Sequence, residues 1–281
     1  MKSYYAAIDA KRERGDTHWS PDYILSAQST MFGARDVIGF GTPAFNVAEI
    51  DRDLANSIVE DEHYSRRSVP SSRIHLAVSI EGRLVGILQL GVAMNPQSMG
   101  SIMEGCGLYE YLELNRMWLH DDAPRNSESR AISYAIKYIR RKEPKIRFIQ
   151  SFADERCGLS GTVYQAANFL FCGSHIGKFW ELDGEFFHDS IMTDANKAET
   201  PRGRFLRANA DRATRHQLKQ YRYIYLMQPR FRSQLLLKVQ PYPKEYHAAR
   251  PVDEQASSLR EAGATPAGRS NLQVSLFGGP A

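Results

Sequence analysis

A buried strand, a polar loop and a short helix carry the first residues whose types could do chemistry. The apolar run 146–152 predicts a strand that ends at Asp154, and a helix-compatible stretch from 162 to 169 follows a loop of Cys, Gly and Ser. In an open α/β sheet, ligands bind in the crevice beyond the carboxyl ends of the strands. We therefore expect the Asp154 carboxylate and the Tyr164 hydroxyl to face one pocket.

A second candidate pair, His63 and Tyr64, lies in a polar loop. The loop HYSRRSVPSSR contains Pro70 and joins a predicted helix to a predicted strand, and loops held by rigid elements often carry function. On spacing alone, such a pair is more often a hydrogen-bonding edge of the fold than a site. With Asp154, the pair also offers nitrogen and oxygen ligands that could hold iron, although no ligand spacing demands a metal.

A predicted helix N-terminus has residues suited to binding a phosphate. Residues 109–119 alternate as a strand, with Arg116 near its end, and a polar loop leads from this strand to a helix with an apolar stripe. Ser127 and Ser129 lie where free backbone N–H groups begin that helix, a place that suits a phosphate or pyrophosphate. Together with Arg116 they are the candidates for binding a cofactor. Ordinary N-capping explains the same residues equally well.

The positive charge of the chain is concentrated in one segment. The formal net charge is +4, yet residues 197–238 contain eleven Lys or Arg and two acids, while the rest contains 25 basic and 30 acidic residues. A basic segment on an acidic body predicts a polyanionic partner. Aromatic residues lie between the charges, which favours nucleic acid over a plain solvated surface. The candidates for contact with DNA are Arg204, Arg207, Arg212 and Arg215.

The elements that must position these residues follow from their hydrophobic periodicity. Asn46 and Glu49 resemble a capping box, and apolar residues at helical spacing from Val47 to Ile58 predict a helix that delivers the chain to His63. Turn residues between apolar runs predict the hairpins later in the chain. Residues 74–80 and 84–92 predict a hairpin, Asp183-Gly184 predicts the turn of another, and residues 221–227 predict the last strand.

We expect one main domain with appendages. The 281 residues are 42% hydrophobic, which is enough for a large core. Residues 1–45 predict an irregular segment, 46–244 the folded domain with the basic segment 197–238, and 245–281 a disordered tail rich in Ala, Gly, Ser and Pro. No run approaches about 18 apolar residues, and three cysteines lack zinc spacing, so we expect an intracellular protein that does not enter a membrane.

The order of predicted elements resembles the GNAT superfamily of N-acyltransferases. GTVYQAANFLFCG is similar to a helix and strand of that superfamily, where a tyrosine is commonly the proton donor to the leaving thiolate. More closely, HYSR, ELNR, SFAD, GTVYQA and YIYLMQP, in this order over residues 47–244, resemble the Mom family of phage DNA-modification proteins. The implied fold is a mixed α+β or α/β structure, with a central twisted sheet flanked by helices and a basic C-terminal extension.

The resemblance implies that the exocyclic N6 of adenine in phage DNA becomes a carbamoylmethyl-amino group, which shields the DNA from host restriction. The family's functional positions fall on His63, Tyr64, Arg116, Ser129, Asp154 and Tyr164. Proton removal from N6 makes His63 and Asp154 candidate bases, and Tyr164 is the expected acid. The expected partner is double-stranded DNA in the cytoplasm of the bacterial host. The protein could act as a monomer or as a homodimer.

The donor of the group stays open at this point. The usual pyrophosphate loop of the superfamily, Q/R-x-x-G-x-G/A, is here RNSESRA at residues 125–131, which lacks both glycines. Acetyl transfer would also give a different product. We therefore do not expect acetyl-CoA as the donor.

Two other classes of function fit part of the sequence. A GNAT-type enzyme that acylates a small-molecule or protein amine with acyl-CoA explains the fold equally well, but it leaves the basic segment without a purpose. A non-catalytic DNA-binding module explains the basic segment, but it does not explain a histidine, a carboxylate and a tyrosine around one crevice.

Overall fold

The computed structural model describes residues 39–93, 96–157 and 160–243. Within these ranges nine strands form one sheet in the order β1-β2-β3-β4-β5-β6-β9-β7-β8. The strands are β1 (Gly39–Thr42), β2 (Phe45–Glu49), β3 (Ser72–Ile80), β4 (Arg83–Gly91), β5 (Tyr111–Leu119), β6 (Phe148–Asp154), β7 (Leu170–Leu182), β8 (Glu185–His188) and β9 (Thr214–Leu226).

Six α-helices and three 3₁₀ helices accompany the sheet in the same ranges. The α-helices are α1 (Arg52–Glu62), α2 (Ser127–Lys142), α3 (Thr162–Ala166), α4 (Ser190–Thr193), α5 (Ala195–Ala198) and α6 (Pro201–Ala208). The 3₁₀ helices are Pro96–Ser101, Glu155–Cys157 and Pro229–Gln234. Among the helices described, none is long and apolar enough to cross a membrane.

The predicted helix start at Asn46 is wrong, because that segment forms a strand instead. Residues 45–49 form β2, which pairs with β1 on one side and β3 on the other. The helix begins at Arg52, where Asp51 caps it by accepting hydrogen bonds from two backbone N–H groups of the first turn. Residues 39–45, predicted to be irregular, form β1 and its turn into β2, whereas residues 1–38 and the predicted tail 245–281 lie outside the described residues.

Both predicted hairpin turns are confirmed, and the last strand is longer than predicted. Glu81 and Gly82 join β3 to β4, and Asp183 and Gly184 join β7 to β8; all four residues have positive φ, as a two-residue hairpin turn of this kind requires. Strand β9 begins at Thr214, because its first half pairs with the long strand β7. Residues 214–226 of the basic segment are therefore a strand.

The two faces of the sheet are covered by different helices, and we name them after these helices. On the α2 face, the apolar side of α2 packs on alternate residues of the central strands, such as Leu88 and Leu112. On the α1 face, α1 packs on their neighbours, such as Ile87. Because side chains alternate along a strand, adjacent residues enter different cores.

Strands β5 and β6 separate in the middle of the sheet. They run parallel and pair at only three positions, from Tyr111–Phe148 to Glu113–Gln150. Beyond that point, β6 pairs with β9 as far as Asp154, while β5 pairs only with β4. The sheet therefore separates between β5 and β6, with the candidate residues Arg116 on β5 and Asp154 on β6.

Candidate active site

Asp154 and Arg156 form an ion pair at the carboxyl end of β6. The Nε and Nη2 groups of Arg156 both donate to one Asp154 oxygen, the former at 2.9 Å, and the Arg156 backbone N–H donates to the other oxygen at 3.0 Å. The Asp154 side chain is buried. Because both of its oxygens accept from Arg156, the carboxylate fixes the position of this guanidinium.

The Arg156 guanidinium lies among aromatic rings. Its central carbon is 5.0 Å from the ring centroid of Phe179, 4.8 Å from that of Phe186 and 5.7 Å from that of Tyr64. Tyr64 is 60% exposed, and its ring centroid lies 4.3 Å from that of His63. The rings and the guanidinium together make a cationic surface on which a flat, electron-rich ligand could stack.

His63 follows the last turn of α1 and is only 6% exposed. The backbone N–H of Ser65 donates to its Nδ1 at 3.0 Å, and Ser65 Oγ lies 2.8 Å from the same nitrogen. Burial, together with the charges of Arg116 and Arg156, lowers the pKa of His63 to about 3. The ring is therefore neutral near pH 7, with its hydrogen on Nε2. This arrangement makes His63 a donor and does not support its predicted role as a base.

Arg116 contributes a further cation to the α1 face. Its Nε donates to the Arg67 carbonyl at 2.9 Å, and its Nη1 donates to the Asn115 carbonyl at 2.7 Å. Burial lowers the pKa of this guanidinium, although it stays protonated near pH 7. Among the residues that the structure describes, no carboxylate forms an ion pair with Arg116. The Glu113 carboxylate acts on this charge from beyond ion-pair distance, so an anionic ligand could still pair with the guanidinium directly.

The three residues predicted to hold iron do not fit a metal in this arrangement. Both Asp154 oxygens accept hydrogen bonds from Arg156, and the Nδ1 of His63 accepts from Ser65. The positive charge of Arg116 lies beside His63 as well. Within residues 39–93, 96–157 and 160–243, no group of three or more His, Cys, Asp or Glu residues could hold a metal ion.

Tyr164 lies on the opposite face of the sheet from Asp154. Its ring centroid is 5.4 Å from that of Tyr223 and 5.6 Å from that of Phe169, within the core on the α2 face. Side chains alternate along β6, so that Ala153 joins this core and Asp154 points to the α1 face. The prediction that Asp154 and Tyr164 face one pocket is therefore wrong, because the sheet lies between their side chains.

A pocket of about 420 Å³ opens on the α2 face at the N-terminus of α2. Its lining includes Phe45, Arg125, Ser127, Ser129, Arg130 and Ala166. The N-cap residue Asn126 has a left-handed φ of 68° and its side chain makes no capping hydrogen bond. The serines predicted at a phosphate site thus line a real pocket, with two arginines beside them. Arg116, predicted to act with them on a cofactor, lies on the other face.

The four arginines predicted to contact DNA differ in their partners. Arg212 and Arg215 pair with neighbouring aspartates at 2.6 and 3.6 Å. Arg204 and Arg207, on α6, donate to backbone carbonyl oxygens, and no carboxylate in the described part of the chain pairs with them. Carbonyl contacts leave the full positive charge in place. Of the four, Arg204 and Arg207 are thus the better placed to meet a phosphate.

Residues 44–244 match the model of the Mom protein family. The chain belongs to this family. It is 52% identical over 224 residues to the methylcarbamoylase Mom of Escherichia phage Mu, a match that covers 79% of this chain and 92% of that relative. The resemblance to the Mom family noted in the sequence is therefore confirmed.

Solved structures of GNAT acetyltransferases resemble this Mom-family chain distantly. One from Streptococcus pneumoniae has a TM-score of 0.39 and 12% identity, covering 65% of this chain and 99% of that chain. One from Bacillus anthracis has a TM-score of 0.38 and 11% identity, covering 67% and 98%. The mixed α+β fold class is as predicted, because the central sheet has one parallel strand pair and helices on both faces.

Sequence reasoning missed three polar residues on the α1 face of this Mom-family protein: Glu113, Gln150 and Arg156. The first two lie in the middle of strands, and their side chains are hydrogen-bonded to each other at 2.9 Å. A charged residue at an inward position of a central strand is uncommon, and that signal could have found Glu113 in YLELNR. Arg156 lies in a short loop without periodicity, so no comparable signal marks it.

Proposed function

We propose that this Mom-family protein is a transferase that converts the exocyclic N6 of adenine in phage DNA to a carbamoylmethyl-amino group, which shields the DNA from host restriction. The observation that carries the proposal is the arrangement around the β5–β6 separation. An arginine-rich and aromatic surface lies on the α1 face, and a pocket of about 420 Å³, lined by one residue of the helix that carries Tyr164, lies on the α2 face. Similarity to a phage methylcarbamoylase over 92% of its length supports the same reaction class.

The α1 face would receive the adenine. Because N6 lies at the groove edge of a stacked base pair, the base must leave the duplex before it can enter a site. The exposed ring of Tyr64 and the Arg156 guanidinium offer a stacking surface, a contact worth about 1–3 kcal/mol per base. Arg116 would bind the flanking phosphate, and neutral His63 would donate its Nε2 hydrogen to a ring nitrogen of the base.

The α2 face would hold the donor. The pocket at the N-terminus of α2 supplies backbone N–H groups and two arginines, which suit an anionic part of the donor. Ala166, which lines this pocket, lies in the same short helix as Tyr164. We assign to Tyr164 the protonation of the leaving group as the bond to the donor breaks. The sequence around the pocket lacks the glycines of an acetyl-CoA site, so the chemical identity of the donor stays open.

DNA would lie along the basic segment before it reaches the site. Arg202, in the basic segment, stacks on Phe187 and pairs with Glu185. Arg202 and Glu185 are also close enough to Arg67 to shift its pKa, although burial is the main cause of the lowered pKa. The basic segment therefore adjoins the α1 face. Arg204 and Arg207 would add phosphate contacts that do not depend on sequence. The expected partner is double-stranded DNA, in the cytoplasm of the host cell.

The experiment is nucleoside mass analysis of DNA from bacteria that express the full chain. We expect a new adenine nucleoside with the mass of the carbamoylmethyl adduct, absent from cells with an empty vector. Soluble protein together with unmodified adenine would contradict the proposal. Turnover of an acyl-CoA on free amines, without any adduct in DNA, would favour the acyltransferase alternative. DNA binding with neither reaction would favour the non-catalytic module.

A further inference from the structure

A carboxylate that the reaction above does not use, Glu113, lies where β5 and β6 part. It is opposite Gln150 in the last paired position of the two strands, and its side chain is on the α1 face. Its Oε2 accepts from Gln150 Nε2 at 2.9 Å, and its Oε1 accepts from Asn115 Nδ2 at 3.2 Å. Each oxygen thus has one amide donor and one further lone pair.

The neighbour of Glu113 carries an unsatisfied acceptor. Gln150 is 2% exposed, and its orientation is fixed, because a carboxylate can only accept and so the amide nitrogen must face Glu113. The Oε1 atom of Gln150 then has no hydrogen-bond donor among the described residues. A buried carbonyl oxygen without a donor costs free energy, which a ligand with N–H groups would recover. A carboxylate and a free carbonyl side by side match the two hydrogens of an amino group.

The groups around Glu113 are cationic or neutral. Arg116 from β5 and Arg222 from β9 face it, and the hydroxyl of Tyr111 lies on the same side of the sheet. Burial raises the pKa of Glu113, while the two amide donors and the two arginines lower it by less. A carboxylate held this way is a stronger base than one in water.

The other candidate bases on the α1 face are already engaged. The Nδ1 lone pair of His63 accepts from Ser65, and a pKa of about 3 makes this ring a weak base. Both oxygens of Asp154 bind Arg156. Among the described residues of this face, Glu113 is the titratable group with an uncommitted lone pair beside the strand separation.

We propose that Glu113 is the general base of the transfer and that Gln150 orients the acceptor amine; this inference rests on the proposed function. The N6 electron pair forms the new bond to the electrophilic carbon of a donor that carries a leaving group. The bond between that carbon and the leaving group breaks, and the leaving group takes its electron pair and a proton from Tyr164. One N6 hydrogen passes as a proton to the Glu113 carboxylate. The second N6 hydrogen is bonded to the Oε1 of Gln150.

The test follows adenine adduct formation over time across pH 5.5 to 9. Purified full-length variants act on duplex DNA, with clarified bacterial extract as the source of the donor. The wild-type rate should rise with pH through the titration of Glu113 and then level, because the base must lose its proton. E113Q should lower the rate about 10²- to 10⁴-fold and should remove that acidic limb. E113D should keep the limb at a reduced rate.

Three controls separate a catalytic from a structural role. E110Q changes a partly exposed carboxylate just before β5, paired with Arg147, and should leave rate and pH profile unchanged. Thermal unfolding and binding of labelled duplex DNA should be the same for E113Q and wild type. Should E113Q fail to fold, E113D decides the matter through its pH profile.

The outcomes are distinct. An E113Q rate within about twofold of wild type, or an acidic limb that persists in E113Q, would overturn the assignment of Glu113 while leaving the proposed function intact. A rate of E113D that does not change with pH would also overturn the assignment of Glu113 as the base. Wild-type protein that forms no adduct in extract or in cells would instead overturn the proposed function itself, and the assignment of Glu113 would fall with it.

Discussion

The α1 and α2 faces of the sheet present different chemistry on the two sides of one strand separation. The α1 face has buried charges that are held by one another, as in the pair of Asp154 with Arg156. The α2 face is an aliphatic and aromatic core in which Tyr164 is one ring among several, beside a pocket at the end of α2. In the proposed reaction, strand alternation keeps the acceptor side and the donor side on different faces of the sheet, and the two would meet where β5 and β6 separate.

The two faces should also respond differently to mutation. Removing one member of a buried ion pair leaves an uncompensated charge, whereas removing one hydroxyl from an aromatic core changes little packing. We therefore expect substitutions that break an ion pair on the α1 face, such as that of Asp154 with Arg156, to lower the free energy of unfolding as well as the rate. On the α2 face, loss of the Tyr164 hydroxyl should lower the rate alone.

The largest effect should follow from Y164F. Loss of the proton donor should slow adduct formation about 10²- to 10⁴-fold, with a change in the free energy of unfolding within about 1 kcal/mol. The timed extract assay and denaturant unfolding measure the two quantities. Y225F is the matched control, because Tyr225 packs on Phe169 in the same core and its hydroxyl accepts from Arg140. A Y164F rate equal to that of Y225F would show that Tyr164 is not the proton donor.

A smaller effect, on stability, should follow from D154A. This change leaves Arg156 without its carboxylate partner at a buried site, so the free energy of unfolding should fall by about 3 kcal/mol. D183A removes the partner of Arg212 in a pair whose side chains are both more than half exposed, and it should cost less than about 1 kcal/mol. Urea unfolding of both variants measures the difference. Equal losses would show that the α1 face is not held by its ion pairs.

The smallest effect concerns the basic segment, outside both faces. R204Q combined with R207Q should weaken binding of duplex DNA of any sequence, and it should reduce the slope of log affinity against log salt by roughly 2 if both contact phosphates. R212Q combined with R215Q should change the slope less, because both arginines already pair with aspartates. Fluorescence anisotropy over a series of KCl concentrations measures both slopes. An unchanged slope in the first variant would place the DNA elsewhere.

Local sequence determined much of the strand and helix pattern. The turn residues Asp183 and Gly184 tolerate the positive φ that a tight hairpin needs, and an apolar stripe marks α2. Local sequence patterns gave the wrong element where a segment pairs with strands from elsewhere in the chain. Asn46 and Glu49 look like a helix cap, but the segment gains more from hydrogen bonds to β1 and β3 than from one turn of helix.

The sequence by itself determined the family, because the ordered motifs from HYSR to YIYLMQP lie within residues 44–244 that match it. It also determined which residue types were available for chemistry. Only the tertiary structure decided which of them meet. Asp154 and Tyr164 are ten residues apart yet face opposite sides of the sheet, while Glu113 and Gln150, far apart in the chain, share a hydrogen bond. The reason is that side-chain direction depends on strand register. Where β6 no longer pairs with β5, it pairs with β9, the last strand in the chain.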